Sequence, residues 1–130
     1  MTTYELEVQN LNTPSFDGIR SIAYKQLQAK FSRQEIEAMY YELERGKSVI
    51  EREELLWRYL YAFGNKHQAK IHVALNRIQK LTEIVCSEYS IIDWGCGQGL
   101  ATVCMFDYLY KKDVTNAVKK IILIEPSELA

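Results

Sequence analysis

The segment that most restricts how this chain can fold is residues 89–99, Tyr-Ser-Ile-Ile-Asp-Trp-Gly-Cys-Gly-Gln-Gly, where a short apolar run stops at three closely spaced glycines. The run Tyr89-Ser90-Ile91-Ile92-Asp93 reads as a buried parallel strand, because such strands are near-continuous apolar, β-branched stretches. Glycine lets the chain leave the strand sharply and lets a ligand approach bare backbone. From Gly99 to about Tyr110 the pattern is helical, with Leu100, Val103, Cys104 and Leu109 expected inward. Lys111 to Lys120 is polar and reads as a connector. Ile121-Ile122-Leu123-Ile124 reads as a second buried strand, closed by Glu125-Pro126-Ser127. Strand, glycine turn, helix and strand make a βαβ unit whose crossover is expected to be right-handed.

The helix after Gly99 turns its N-terminal amides and positive dipole end toward whatever lies at the turn. Glu125, at the end of the next strand, offers a carboxylate that can accept hydrogen bonds from two neighbouring hydroxyls. Together these describe a nucleoside site. The glycine spacing narrows the choice. The dinucleotide fingerprint G-x-G-x-x-G/A would need a small residue at position 100, and Leu100 stands there. No phosphate-binding lysine follows the glycines, which excludes a P-loop. The actual spacing is G-x-G-x-G, preceded by Asp93.

This pattern resembles motif I of the Rossmann-like, S-adenosylmethionine-dependent class I methyltransferases: Asp93, Trp94, Gly95, Cys96, Gly97, Gln98 and Gly99 match the motif. Ile121 to Ser127, with Glu125 and Pro126, looks like that family's second strand and its acidic end. The resemblance implies that the glycine backbone borders the methionine and ribose of S-adenosylmethionine, that Asp93 orients the amino group, and that Glu125 holds the ribose hydroxyls. It covers residues 89–130 and implies no catalytic residue by number. The family's sheet has about seven strands, and two parallel strands are not stable alone. The expectation is therefore the N-terminal part of a methyltransferase: an α/β chain, helix-dominated by residue count, with a helical region at 1–88 and a partial Rossmann-like domain at 89–130. Open strand edges make a homo-oligomer the accompanying expectation. The rival readings are a non-catalytic methyltransferase-like helical module acting by association, and a nicotinamide- or other nucleoside-binding enzyme, which Leu100 disfavours. Upstream, Tyr59-Leu60-Tyr61-Ala62-Phe63, a long helix and then motif I look like the ribosomal small-subunit assembly methyltransferase-like proteins.

Residues 1–88 read as mostly helical. Residues 1–12 show only the alternation of Tyr4, Leu6 and Val8 and suggest a short extended arm. Thr13-Pro14 reads as a cap and first helical residue, followed by Ile19, Ile22, Ala23 and Leu27 at helical spacing. Ser32 and Glu35 make a capping box; Ile36, Met39, Tyr40 and Leu43 follow, and Gly46 reads as the C-cap glycine. Ser48 and Glu51 suggest another capping box for a helix from Val49 to Phe63 that Gly64 ends. A fourth helix is expected from Lys66 to Glu88. Trp57, Tyr59 and Tyr61 read as packing residues, with a lid over the cofactor as the alternative.

Composition removes several classes. Sixteen Lys+Arg against 17 Asp+Glu give a net charge of −1, so nucleic-acid binding would need a local patch. One candidate exists. Lys66, Lys70, Arg77 and Lys80 share an arc of about 80° on a helix, and no acid occurs from residue 65 to 82. That stripe suits an RNA substrate's phosphates, or equally the solvated face of an amphipathic helix. The longest run without Asp, Glu, Lys or Arg is Trp94 to Phe106, 13 residues, too short for a membrane span of about 20. The first basic residue is Arg20, which argues against a targeting peptide. Three cysteines, Cys86, Cys96 and Cys104, without a CxxC pair, point to a reducing cytoplasm rather than a disulfide framework or zinc site. His67 and His72 are five residues apart and fall on different helix faces, so no metal is expected.

Overall fold

Hydroxyl side chains start the first three helices by accepting amides that have no partner within the helix. In the computed structural model, which describes residues 1–13, 15–78, 88–113 and 118–126, these are α1 (Thr3–Gln9), α2 (Phe16–Lys30) and α3 (Arg33–Glu42). They are followed by α4 (Glu53–Arg77), β1 (Tyr89–Trp94), α5 (Leu100–Lys111) and β2 (Val118–Ile124). The protein is mixed α/β and helix-dominated, and the described strands form one two-stranded parallel sheet. The chain divides into two compact units, Met1–Asn65 and Lys66–Pro126.

In the first unit, α1 replaces the expected extended arm. Thr2 and Glu5 form a reciprocal capping box, with the Thr2 amide donating to Glu5 at 2.6 Å and the Glu5 amide to Thr2 at 3.2 Å. Tyr4 and Val8, read as alternating strand positions, lie four apart and serve one helix face, while Leu6 is exposed. The Tyr4 ring lies 5.9 Å from that of Trp57. At α2, Ser15 is the cap, accepting the Gly18 amide at 3.1 Å, in place of the expected Thr13; Pro14 lies outside the described residues. The Ser32–Glu35 capping box forms as expected. Gly46 is not the C-cap: α3 ends at Glu42 with Leu43 as its C-cap, and the left-handed backbone begins at Glu44 and Arg45, before Gly46. The Ser48–Glu51 box does not form either. The Ser48 hydroxyl is buried without a hydrogen-bond partner, and α4 begins at Glu53, beyond Arg52, which pairs with Glu42 and Glu54.

The largest correction is at Gly64. No helix ends there; α4 runs through it, so the two expected helices are one up to Arg77. A Cβ at Gly64 would come within 2.7 Å of Cζ of Phe16, whose ring is buried. The glycine is a close-packing position rather than a stop. Residues 79–87 of the expected fourth helix, with Lys80, Val85 and Cys86, lie outside the described residues. Around this contact Phe16, Ile22, Ala23, Leu27, Met39, Leu43, Leu56, Trp57 and Leu60 form the buried core of the first unit.

In the second unit, β1 pairs with β2 in parallel, with Ile91 opposite Ile121, Asp93 opposite Leu123 and Trp94 opposite Ile124. β2 begins at Val118, earlier than the connector reading placed it. α5 packs on β1 and buries Thr102, Cys104 and Leu109; Leu100 and Val103, expected inward, are half-buried. The strands are not buried on both faces as expected. Burial alternates along β1, and Ile92, Trp94, Ile121 and Leu123 are exposed. A parallel sheet is buried only where helices cover both its faces, and continuous apolar character cannot report whether they do.

Two outcomes follow for the first unit. Gly64→Ala gains up to about 1 kcal/mol of helix propensity. It brings a methyl to within 2.7 Å of the buried Phe16 ring, at a cost of about 1–3 kcal/mol. The net effect should be a lower urea midpoint with an unchanged slope. Hydrogen bonds from the Ser32 amide, then its hydroxyl, hold the Glu35 carboxyl below its ordinary value. A carboxyl depressed in the folded state stabilises above its unfolded value and loses that contribution as pH falls through the folded one. The melting-temperature gap between wild type and Glu35→Gln should therefore narrow as pH goes from about 6 to about 3.

Candidate functional site

Parallel pairing places the carboxyl ends of β1 and β2 side by side, and the glycine loop is tied to both. The amides of Gly95 and Cys96 donate to the Ile124 carbonyl at 2.7 and 3.1 Å. One residue further, the Glu125 carboxylate accepts the Gly97 amide at 2.7 Å. The Gly99 amide returns to the Cys96 carbonyl at 2.8 Å, and Gly99 caps α5 in a left-handed conformation. Gly97 has φ of 50°, a region side chains rarely adopt. A Cβ there or at Gly95 would meet no atom within 4 Å. Glycine is thus demanded by the backbone, while the space beside it stays open.

Asp93, at the same strand end, accepts the hydroxyl of Thr102 at 2.7 Å. Thr102 is buried in the first turn of α5 and was missed by the sequence reading. A hydroxyl residue nine positions after the motif's acid is the only signal for it. Trp94 is exposed, with 77% of its surface accessible, so its indole is open to a ligand at the loop. Cys96 is half-buried, its thiol 3.6 Å from the Gly97 carbonyl, and Gln98 is half-buried. Pro126 is exposed. Of the expected cofactor residues, the structure brings Glu125 directly onto Gly97.

The electrostatics of this corner are specific. The amides of Gly95, Cys96, Gly97 and Gly99 all have protein acceptors, and one of those acceptors is a carboxylate. From residue 88 to 110 there is no lysine or arginine. A phosphate approaching the loop would meet the Glu125 carboxylate and no cation from the loop itself. A neutral or cationic ligand carrying hydroxyls would meet acceptors. Dinucleotide sites depend on the opposite arrangement, with glycine-loop and helix amides turned to a pyrophosphate.

Elsewhere in the second unit Lys66, Lys70 and Arg77 are exposed on α4 and, among the described residues, form no ion pair. His67 and His72 are half-buried on the same helix. Among the described residues no group of His, Cys, Asp and Glu could hold a metal ion, and no helix is long and apolar enough to cross a membrane. Trp57 and Tyr61 are engaged within the first unit, Trp57 buried beneath Lys30 and Tyr61 stacked on Tyr24 with 4.3 Å between ring centres.

No family model, no curated protein and no solved structure matches this chain.

The Asp93–Thr102 bond can be checked alone. Thr102→Val keeps the shape of the side chain and leaves a half-buried carboxylate without its hydroxyl donor, which should cost about 1–2 kcal/mol in chemical denaturation. Thr102→Ser should restore most of the loss.

Proposed function

We propose that residues 89–126 form the cofactor-binding βαβ unit of a class I, Rossmann-like, S-adenosylmethionine-dependent methyltransferase. The observation that carries the reading is the Glu125 carboxylate seated on the Gly97 amide at the carboxyl ends of two parallel strands, with no cation in the loop. In open α/β sheets that end carries the ligand crevice. A carboxylate has about four acceptor sites, so Glu125 can hold the loop amide and a ribose diol together. Asp93, fixed by Thr102, would orient the cofactor's amino group, and the open space at Gly95 and Gly97 admits its methionine portion. Trp94 and Gln98 would flank it. The negative character of the corner favours a sulfonium over a pyrophosphate.

S-adenosylmethionine, when bound, supplies a methyl group activated by its positive sulfur for in-line attack by an acceptor. The protein's part is alignment and exclusion of water rather than covalent catalysis. Among the described residues no base is arranged beside the half-buried Cys96 thiol, so we assign it no nucleophilic part. RNA is the acceptor class with a sequence feature behind it, the exposed Lys66, Lys70 and Arg77.

A second reading, a methyltransferase-like module acting by association between copies, rests on Ile92, Trp94, Ile121 and Leu123. These side chains are exposed on a sheet whose strands, among the described residues, pair only with each other.

Calorimetric titration of the chain with S-adenosylhomocysteine should give saturable binding, and NAD should give none. Glu125→Gln keeps the shape and removes the charge and one acceptor oxygen. It should weaken the nucleoside about tenfold and, through the Gly97 amide, lower stability by about 1 kcal/mol. Tight NAD binding with no response to S-adenosylhomocysteine would overturn the reading.

A further inference from the structure

Within the first unit, α2, α3 and α4 border an open cleft of about 440 Å³ lined by Tyr24, Phe31, Ile36 and Tyr61. That volume falls in the range of small-molecule sites. Its chemistry is set by Arg58, which is only 8% exposed yet lines the cleft. The Arg58 Nε donates to the Ile36 carbonyl at 2.8 Å, and the guanidinium lies 5.0 Å from the ring centre of Tyr40 and 5.6 Å from that of Tyr61. Among the described residues no carboxylate pairs with it.

A guanidinium carries five N–H donors in a planar fork. The Ile36 carbonyl takes one, and the rings compensate part of the charge. Its remaining nitrogens are not sealed within the protein, since none is both buried and without a partner, and the residue lines the cleft. Arg33 also lines the cleft, whereas Glu37, the one acid in its lining among the described residues, is exposed. Two guanidinium groups thus face one carboxylate. Polar ends stand beside them, the Gln28 amide bonding the Tyr24 hydroxyl at 2.8 Å.

We propose that this cleft binds a small organic anion, a carboxylate or phosphate monoester on an apolar body. The anionic head sits on Arg58 and Arg33, and the body lies against Tyr24, Phe31 and Ile36. An oxyanion would complete the Arg58 fork bidentately, the geometry for which arginine is suited and lysine is not. The site lies wholly in the helical unit and does not depend on the nucleoside reading of the second.

The test is a titration of the isotope-labelled chain by NMR with phenyl phosphate as probe and benzyl alcohol as its uncharged counterpart. Phenyl phosphate should give saturable shifts at residues of α2, α3 and the start of α4, with half-saturation at about 1 mM or below. Benzyl alcohol should bind at least about tenfold more weakly. Arg58→Lys keeps the charge and loses the fork, and should weaken phenyl phosphate about tenfold. Arg33→Glu should do the same. It alters an exposed residue at the start of α3, where an acidic side chain suits the helix dipole, so the fold is retained even if Arg58→Lys is not folded. The proposal is overturned if the wild type shows no saturable shift, if benzyl alcohol binds as tightly, or if Arg33→Glu keeps wild-type affinity.

Discussion

Parallel pairing of β1 with β2 is the constraint on which the second unit depends. Two parallel strands cannot be joined by a tight turn; the chain must leave the end of one strand, cross over and return to the start of the next. Here α5 is that crossover, and the loop that leads into it leaves from the end at which β2 also finishes. The Ile124 carbonyl, the last of β2, receives both Gly95 and Cys96. The glycine loop is thereby folded over the end of the neighbouring strand, and Glu125, the next residue along, arrives beneath Gly97. A carboxylate distant in sequence becomes the loop's acceptor because the parallel register sets the end of β2 beside the end of β1.

That geometry also decides which of the loop's hydrogen-bonding groups are already engaged. A glycine-rich turn at a helix N-terminus is ordinarily an anion site, since its amides point outward. In this chain the loop amides have acceptors of their own, and a carboxylate holds one of them. The same element therefore offers a phosphate fewer open amides, since those of Gly95, Cys96, Gly97 and Gly99 already have acceptors. The distinction rests on hydrogen-bond accounting, and motif spacing alone only hints at it through Leu100.

The helical unit is organised differently, around close contact and ring packing. Phe16 presses against Gly64, Trp57 is covered by Tyr4 and Lys30, and Tyr61 stacks on Tyr24. Burial pushes the Tyr4 hydroxyl, with help from Glu53, up to about 12, so its contribution to stability is present at neutral pH and lost only as pH rises from about 10 toward that value. Arg58 is the exception in this apolar setting, a cation kept among tyrosines by one carbonyl and two rings.

Local chemistry was legible where it is settled by neighbours in the chain. Ser32 and Glu35 are three apart, so their capping box follows from spacing, as do the order of strand, glycine loop, helix and strand and the acid at position 125. Thr2 and Glu5 have the same spacing, but the alternation of Tyr4, Leu6 and Val8 suggested a strand; helix and strand periods cannot be separated over so few residues. Gly64 shows what only tertiary structure decided. Nothing local distinguishes a glycine that ends a helix from one that lets Phe16 come close, because the difference lies in a side chain 48 positions away. The docking of Glu125 on Gly97, the Thr102 hydroxyl on Asp93 and the burial of Arg58 belong to the same class. The sequence determined which residues could make turns, caps and strands. The register and the packing determined which polar groups met, since hydrogen bonds and close contacts depend on distances that chain order does not encode.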